Sequence, residues 1–168
     1  MSLRPLWRLQ EHLKEPSGIL SEMANFRLYC PIVVRPNDID KIGHINNVAY
    51  FRYLEAARLF YWSIVFGSRR RIHNDLILAH AELDYRQQAN QDHPLRVGIR
   101  TTRLGISSFD FNYEVLQDDT DLLLGKGRST QVMFDYSANR SVALPESVRK
   151  AIIDLEGLEN LKCGSRDE

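Results

Sequence analysis

Residues 37–58 read NDIDKIGHINNVAYFRYLEAAR, a polar loop that leads directly into an amphipathic segment. The loop brings two carboxylates, an imidazole and two adjacent amides close together along the chain. Apolar side chains then recur every three or four positions, and nothing that breaks a helix occurs before Gly67. The spacing predicts one long helix with Asn46 or Asn47 as its N-cap. Loops at helix N-termini commonly carry chemistry, so this loop is the first candidate site.

Composition limits the possible classes of protein. The 168 residues and 43% hydrophobic content suit one domain with a buried core. Lys plus Arg and Asp plus Glu number 22 each, so no global charge attracts nucleic acid or an anionic membrane. No apolar run approaches the ~20 residues of a membrane span. Cys30 and Cys163 lie far apart without metal-type spacing, which is typical of a reducing compartment. We expect a cytoplasmic protein.

The chain divides into three parts. Residues 1–25 mix leucines and Trp7 with both signs of charge, which predicts a short amphipathic helix that packs on the domain or on a partner, or lies on a membrane surface. Residues 26–156 form the predicted domain, and residues 157–168 form a tail. Within the domain, alternating segments begin near residues 26, 77, 95, 109 and 122, and Pro145 starts a closing helix.

This order predicts an α+β domain in which a curved antiparallel sheet of consecutive strands wraps one long helix. A single helix covers only part of the apolar surface of such a sheet, and the edge strands remain available for pairing. We therefore expect a homodimer, or a homotetramer built from dimers.

The segment 37–58 resembles the signature of the hotdog-fold acyl-CoA thioesterases of the 4-hydroxybenzoyl-CoA thioesterase type, D-x-D-x-x-G-H-x-N-N followed by Y and E-x-x-R. The resemblance extends more weakly over residues 26–156. It implies a hotdog fold, obligate dimers that often pair into tetramers, and active sites at the subunit interface. It also implies that Asp40 occupies the position of the catalytic aspartate.

Thioester hydrolysis needs a group that attacks the carbonyl or activates water, and donors that stabilise the oxyanion. By resemblance, Asp40 is either a nucleophile that forms a mixed anhydride or a general base. The Asn47 N–H, at the positive end of the helix, is the candidate oxyanion donor. His44 either orients Asp40 or the substrate, or bonds a carbonyl. Both Asp38 and Asp40 could instead be turn formers.

The remaining candidates carry both structural and functional interpretations. Gly43 provides a positive φ or a close approach to the ligand, and Asn46 is a cap or a loop clamp. Glu55 and Arg58 are explained by an ion pair along the helix, although Glu55 is the second-choice base. The candidates for contact with substrate are Gly43, Asn46, Tyr50, Arg58, Ser107, Ser108 and the basic run 69–71. Tyr50 also fits a core position, and the basic run also fits a solvated surface.

No metal site is expected, because the histidines at 12, 44, 73, 80 and 93 lack the spacing of a ligand set. No bound cofactor is expected either, since coenzyme A belongs to the substrate. Alternatives to an acyl-CoA thioesterase are an acyl-carrier-protein thioesterase, a hotdog hydratase or dehydratase, and a non-catalytic acyl-binding protein. The Ile45-Asn46-Asn47 continuation matches the thioesterase pattern better than the hydratase pattern.

Overall fold

The structure is a computed structural model that describes residues 26–66, 76–90, 92–157 and 161–163. The helix expected in residues 1–25 lies outside the described residues, and so does most of the tail expected at 157–168. No helix in the described ranges is long and apolar enough to cross a membrane.

An antiparallel sheet forms most of the domain. Its five main strands are β1 (Leu28–Ile32), β2 (Leu76–Tyr85), β3 (Leu95–Leu104), β4 (Ser108–Gln117) and β5 (Leu123–Asp135), in the order β1-β3-β4-β5-β2. The short strand β6 (Arg140–Ser141) pairs with β5, and β7 (Lys162–Cys163) runs parallel to β3. The expectation of consecutive strands is right for β3, β4 and β5 but wrong for β2, which lies beyond β5 at the edge. Alternation of side chains identifies a strand but not its neighbour.

The long helix, α1, spans Asn47–Phe66 and confirms the predicted period. Its buried face packs on the inward side chains of β3 and β4, where Tyr61 lies 4.8 Å from Phe111 and Trp62 lies 5.4 Å from Phe109, ring centre to ring centre. Burial of each such side chain stabilises the fold by about 1.5–3 kcal/mol. The predicted architecture, a sheet around one long helix, is confirmed.

The second helix, α2 (Glu146–Glu156), follows Pro145 as predicted and fixes the end of the domain. Its last residue, Glu156, is 3% exposed and accepts hydrogen bonds from the Tyr61 hydroxyl at 3.0 Å and the Thr101 N–H at 2.8 Å. The N–H of Thr101, on β3, therefore finds its acceptor outside the sheet. The end of α2 supplies that acceptor.

The face of the sheet opposite α1 is polar and carries its own ion cluster. Asp110 on β4 is 3% exposed and contacts Arg103 at 2.9 Å, Arg128 at 3.0 Å and the Thr130 hydroxyl at 2.8 Å. Burial alone raises the pKa of Asp110, but the hydrogen bonds and charges of these partners lower it below its usual value. The cluster belongs to the outer face and lies apart from the loop that precedes α1.

Candidate functional site

Asp38 anchors the loop that precedes α1. It ends a short 3-10 turn, Pro36–Asp38, and is 4% exposed. Its carboxylate accepts hydrogen bonds from the Arg35 N–H at 3.0 Å and the Tyr53 hydroxyl at 2.9 Å, and pairs with Arg52 at 2.5 Å. Its carbonyl accepts the Asn46 N–H at 2.7 Å. Asp38 therefore ties both ends of the loop to the first turns of α1.

Asp40 lies at the centre of the same loop, with one carboxylate oxygen engaged. Its Oδ1 accepts the N–H groups of Ile42 at 2.9 Å and His44 at 3.0 Å, while its own N–H donates to the His44 carbonyl at 2.7 Å. Hydrogen bonding from the His44 and Ile42 N–H groups lowers the pKa of Asp40 below its ordinary value. Within the described residues, Oδ2 has no hydrogen-bond partner. The carboxylate is therefore ionised and keeps one oxygen available.

Gly43 and His44 shape the turn around Asp40. Gly43 has a φ of 86°, and a Cβ there would meet nothing within 4 Å, so conformation rather than crowding explains the glycine. His44 contacts Asp40 through its backbone N–H and carbonyl. The described hydrogen bonds between His44 and Asp40 therefore run through the main chain of His44, and the predicted role of the His44 imidazole stays a prediction.

The N-terminus of α1 resolves the choice between the two asparagines. Asn46 is the N-cap, because its Oδ1 accepts the Val48 N–H at 3.0 Å. Asn47 is the first helical residue, and its N–H donates to no group in the part of the chain that the structure describes. Within the described residues this leaves a free donor at the positive end of the helix dipole, and its role as the oxyanion donor stays a prediction.

A cleft of about 560 Å³ connects these groups with the end of β2. One wall is formed by the loop and helix, through Asp40, His44, Ile45, Asn46, Asn47 and Tyr50, and the other by Tyr85, Arg86, Gln87, Gln88 and Ala89. The Tyr85 hydroxyl donates to the Asn47 carbonyl at 3.1 Å, and the Ile45 N–H donates to the Ala89 carbonyl at 2.8 Å. The Tyr50 and Tyr85 rings meet edge to face at 5.2 Å. These contacts hold the two walls together.

Sequence reasoning missed the second wall. Residues 85–89 comprise the last residue of an edge strand and the segment after it, and they carry no recognisable motif, so only the fold shows that they line the same cleft as Asp40. An available signal was the position of Tyr85, the last aromatic residue of an alternating segment, followed by the polar run Arg86-Gln87-Gln88. Polar side chains just after a strand often line a site.

Several predicted site residues lie outside this cleft. Glu55 is exposed on α1, and the expected ion pair with Arg58 does not form, because the Arg58 guanidinium points towards the Tyr113 hydroxyl at 3.4 Å. Ser108 is in register with Val132 near one end of β5, whereas Tyr85 is in register with Gly125 near the other end. The Ser108 hydroxyl accepts a hydrogen bond from Arg103 at 3.0 Å.

Ser107 is half-buried at the turn before β4, where its carbonyl accepts the Met133 N–H at 2.8 Å. Neither serine reaches the cleft of the same chain. The basic run at 69–71 lies outside the described residues. No cluster of three or more potential metal ligands occurs in the described ranges, and the absence of a metal and a cofactor stays a prediction.

Comparisons with known proteins agree with this architecture. Residues 34–152 match the model of the thioesterase-like superfamily. A thioesterase from Thermus thermophilus, solved with coenzyme A and zinc, superposes with a TM-score of 0.71 at 30% identity over 80% of this chain and 98% of that one. A 1,4-dihydroxy-2-naphthoyl-CoA thioesterase from Synechocystis superposes at 0.69, with 24% identity over 76% of this chain and 96% of that one, which shows a common fold.

A shorter match joins this chain to the uncharacterized protein YsmA of Bacillus subtilis (strain 168). The identity is 28% over 90 residues, which is 54% of this chain and 61% of the length of YsmA. Together with the thioesterase neighbours, the family match confirms the expected hotdog fold.

Proposed function

The chain belongs to the thioesterase-like superfamily, and on that premise we propose that it hydrolyses an acyl-CoA thioester to a free acid and coenzyme A. Membership and the thioesterase neighbours support thioester hydrolysis as the class of reaction. One observation carries the assignment to a site: the ionised Asp40 and the free N-terminus of α1 line the same cleft.

In the nucleophilic route, Asp40 Oδ2 attacks the thioester carbonyl carbon, the C–S bond breaks, and the thiolate leaves. Water then hydrolyses the resulting mixed anhydride and regenerates the carboxylate. In the general-base route, Asp40 takes a proton from the water that attacks the carbonyl. The lowered pKa of Asp40 keeps its carboxylate ionised, as both routes require.

Both routes place negative charge on the thioester oxygen in the transition state. The Asn47 N–H is oriented along α1 and has no other acceptor in the described part of the chain, so it can donate to that oxygen. The hydrogen bonds at Asn46 and Tyr85 keep this donor in place before substrate binds. Preorganised donors stabilise charge without reorganisation during the reaction.

The proposed working form is a homodimer. Apolar side chains remain exposed on one side of α1, where Val48 is 58%, Phe51 39% and Leu59 50% exposed, and on the edge strand β2, where Leu78 is 48% exposed. The strand order leaves one edge of β2 without a described partner. A second copy that covers this surface would bury the apolar side chains and bring the cleft, which Tyr85 borders, to the subunit boundary.

The test of the proposed function is thiol release from short, long and aromatic acyl-CoA esters by the parent and by Asp40→Asn. We expect kcat to fall about a thousandfold or more, because the amide cannot attack the carbonyl or accept a proton. Asparagine Oδ1 can still accept the Ile42 and His44 N–H groups, so the variant should stay folded. Glu55→Gln is the matched control, and it should retain parental kcat.

Other outcomes would redirect the assignment. Equal release by the parent and Asp40→Asn, with loss in Glu55→Gln, would transfer the catalytic role to the helix. Hydrolysis of acyl-carrier-protein thioesters, but not of acyl-CoA esters, would identify acyl carrier protein as the carrier of the substrate. Consumption of a 2-enoyl-CoA without thiol release would indicate a hydratase, and binding without turnover would indicate an acyl-binding protein.

A further inference from the structure

We infer that Arg86 binds a phosphate group of the pantetheine carrier that delivers the acyl group to the cleft. This inference rests on the proposed function and adds a recognition residue to it. The motif in the loop before α1 does not contain Arg86, which comes from the opposite wall.

Arg86 is held at the cleft by its backbone. The N–H groups of Arg86 and Gln87 both donate to the Leu124 carbonyl, at 2.8 Å and 3.3 Å. The preceding residue, Tyr85, is bonded through its hydroxyl to the first residue of α1. The Cα and Cβ of Arg86 are therefore fixed relative to the proposed oxyanion donor, while its side chain is 44% exposed.

The charge of Arg86 is weakly satisfied. Its described ionic partner is Asp84 at 3.7 Å, and the Asp84 side chain is 78% exposed. An exposed pair at this distance contributes little. By contrast, Arg96 pairs with both Asp118 and Asp121, and Arg128 with the buried Asp110. A guanidinium in a loose pair can change partner at small cost.

Arg86 also has a favourable position within the cleft. Among the described residues that line the cleft, Asp40 carries a negative charge and Arg86 carries a positive charge at neutral pH. An anionic carrier that brings its thioester to Asp40 is repelled by that carboxylate unless a cation compensates. Arginine forms two parallel hydrogen bonds with a phosphate, which gives affinity and orientation together.

The same phosphate chemistry occurs in coenzyme A and in the phosphopantetheine arm of acyl carrier protein. Three thioesters of one acid separate these sources: the pantetheine ester without phosphate, the 4′-phosphopantetheine ester with one, and the coenzyme A ester with the nucleotide phosphates. KM and kcat are measured for each with the parent, Arg86→Gln and Lys126→Gln. Lys126 is a matched control, since it pairs with Glu114 at 3.4 Å, is 38% exposed and does not line the cleft.

We expect Arg86→Gln to raise KM about tenfold for phosphorylated carriers, to leave kcat within about twofold, and to leave the pantetheine ester unaffected. Lys126→Gln should match the parent on all three substrates. If KM is already higher in Arg86→Gln for the phosphopantetheine ester, Arg86 binds the phosphate that both carriers share. If KM is higher in Arg86→Gln for the coenzyme A ester alone, Arg86 binds the nucleotide phosphates.

Equal KM changes on the pantetheine and coenzyme A esters, or no change on either, would overturn the role of Arg86 while leaving the proposed function intact. If the parent hydrolyses none of the esters, the proposed function fails, and calorimetry with coenzyme A tests Arg86 separately. Affinity about tenfold lower in Arg86→Gln would then support phosphate binding, and equal affinity would overturn it.

Discussion

At the scale of single residues, two aspartates of one short motif have opposite environments. Asp38 is buried and bonded to three groups, whereas Asp40 is partly exposed and keeps one oxygen without a described partner. Asp38 therefore stabilises the fold, whereas Asp40 keeps the free carboxylate oxygen that the proposed mechanism requires. The difference arises because the 3-10 turn directs Asp38 inward, towards Tyr53 on α1.

Replacement of Asp38 by alanine should destabilise the protein. The change leaves the Tyr53 hydroxyl and the Arg35 N–H without their acceptor and removes the partner of Arg52. Loss of an acceptor in a buried site costs about 2–4 kcal/mol in the free energy of unfolding. Chemical denaturation at pH 7 measures this loss. A change below about 0.5 kcal/mol would contradict the structural role of Asp38.

The contribution of Asp38 should also depend on pH. Burial alone raises the pKa of Asp38, but the Arg35 N–H, the Tyr53 hydroxyl and the Arg52 charge lower it below its ordinary value. The ionised carboxylate therefore stabilises the fold fully above the unfolded pKa of about 3.9, and this stabilisation is lost as the pH falls through the folded pKa. The stability difference between the parent and Asp38→Asn should be constant from about pH 6 to 8 and shrink below about pH 4. A difference independent of pH would contradict the assignment.

The sequence predicted the groups of the loop but not all of their partners. Asp40 was a candidate by resemblance, and its catalytic role stays a prediction, whereas an asparagine cap was predictable from residue type and position. The resemblance distinguished Asp40 from Asp38, but the buried partners of Asp38 were not predictable, because the direction of its side chain depends on the backbone of the turn. The prediction of an ion pair between Glu55 and Arg58 was wrong, because Arg58 contacts Tyr113, which lies on a strand distant in sequence.

At the scale of secondary-structure elements, Glu156 connects the end of α2 to the core. Glu156→Ala should cost about 2–3 kcal/mol, since the Thr101 N–H and the Tyr61 hydroxyl lose their acceptor. Burial raises the pKa of Glu156, because desolvation disfavours its charge. Glu156→Gln should therefore cost less than half as much, as an amide oxygen can accept both bonds. Thermal and chemical unfolding compare the variants, and equal losses would contradict this explanation.

The elements themselves were predictable to different degrees. α1 followed from a strong period of three and four, and β4 from regular alternation of Phe109, Phe111 and Tyr113. The position of β2 at the edge was not predictable, because pairing with β5 depends on contacts distant in sequence. An irregularity between Leu78 and His80 further interrupts the alternation of β2. The second wall of the cleft depends on this placement, so the sequence did not reveal it.

At the scale of the whole molecule, the apolar side chains exposed on α1 and on the edge strand β2 predict self-association. Leu59→Asp should convert a dimer to a monomer, because it places a charge within the surface that a second copy would cover. Sedimentation velocity measures the change. Ile106→Asp is the control, since Ile106 is 51% exposed at the turn between β3 and β4. A parent that is monomeric at micromolar concentration would contradict the proposed dimer.

The two carboxylate oxygens of Asp40 have different environments, and this difference has a practical consequence. One oxygen closes the loop while the other has no partner among the described residues, so Asp40→Asn should remove the proposed reactivity and preserve the shape of the site. Under the proposed function, such a variant is a capture reagent: immobilised and exposed to a metabolite extract, it should retain intact the thioester that the parent is proposed to hydrolyse. Mass spectrometry of the eluted small molecules would then identify the acyl group directly.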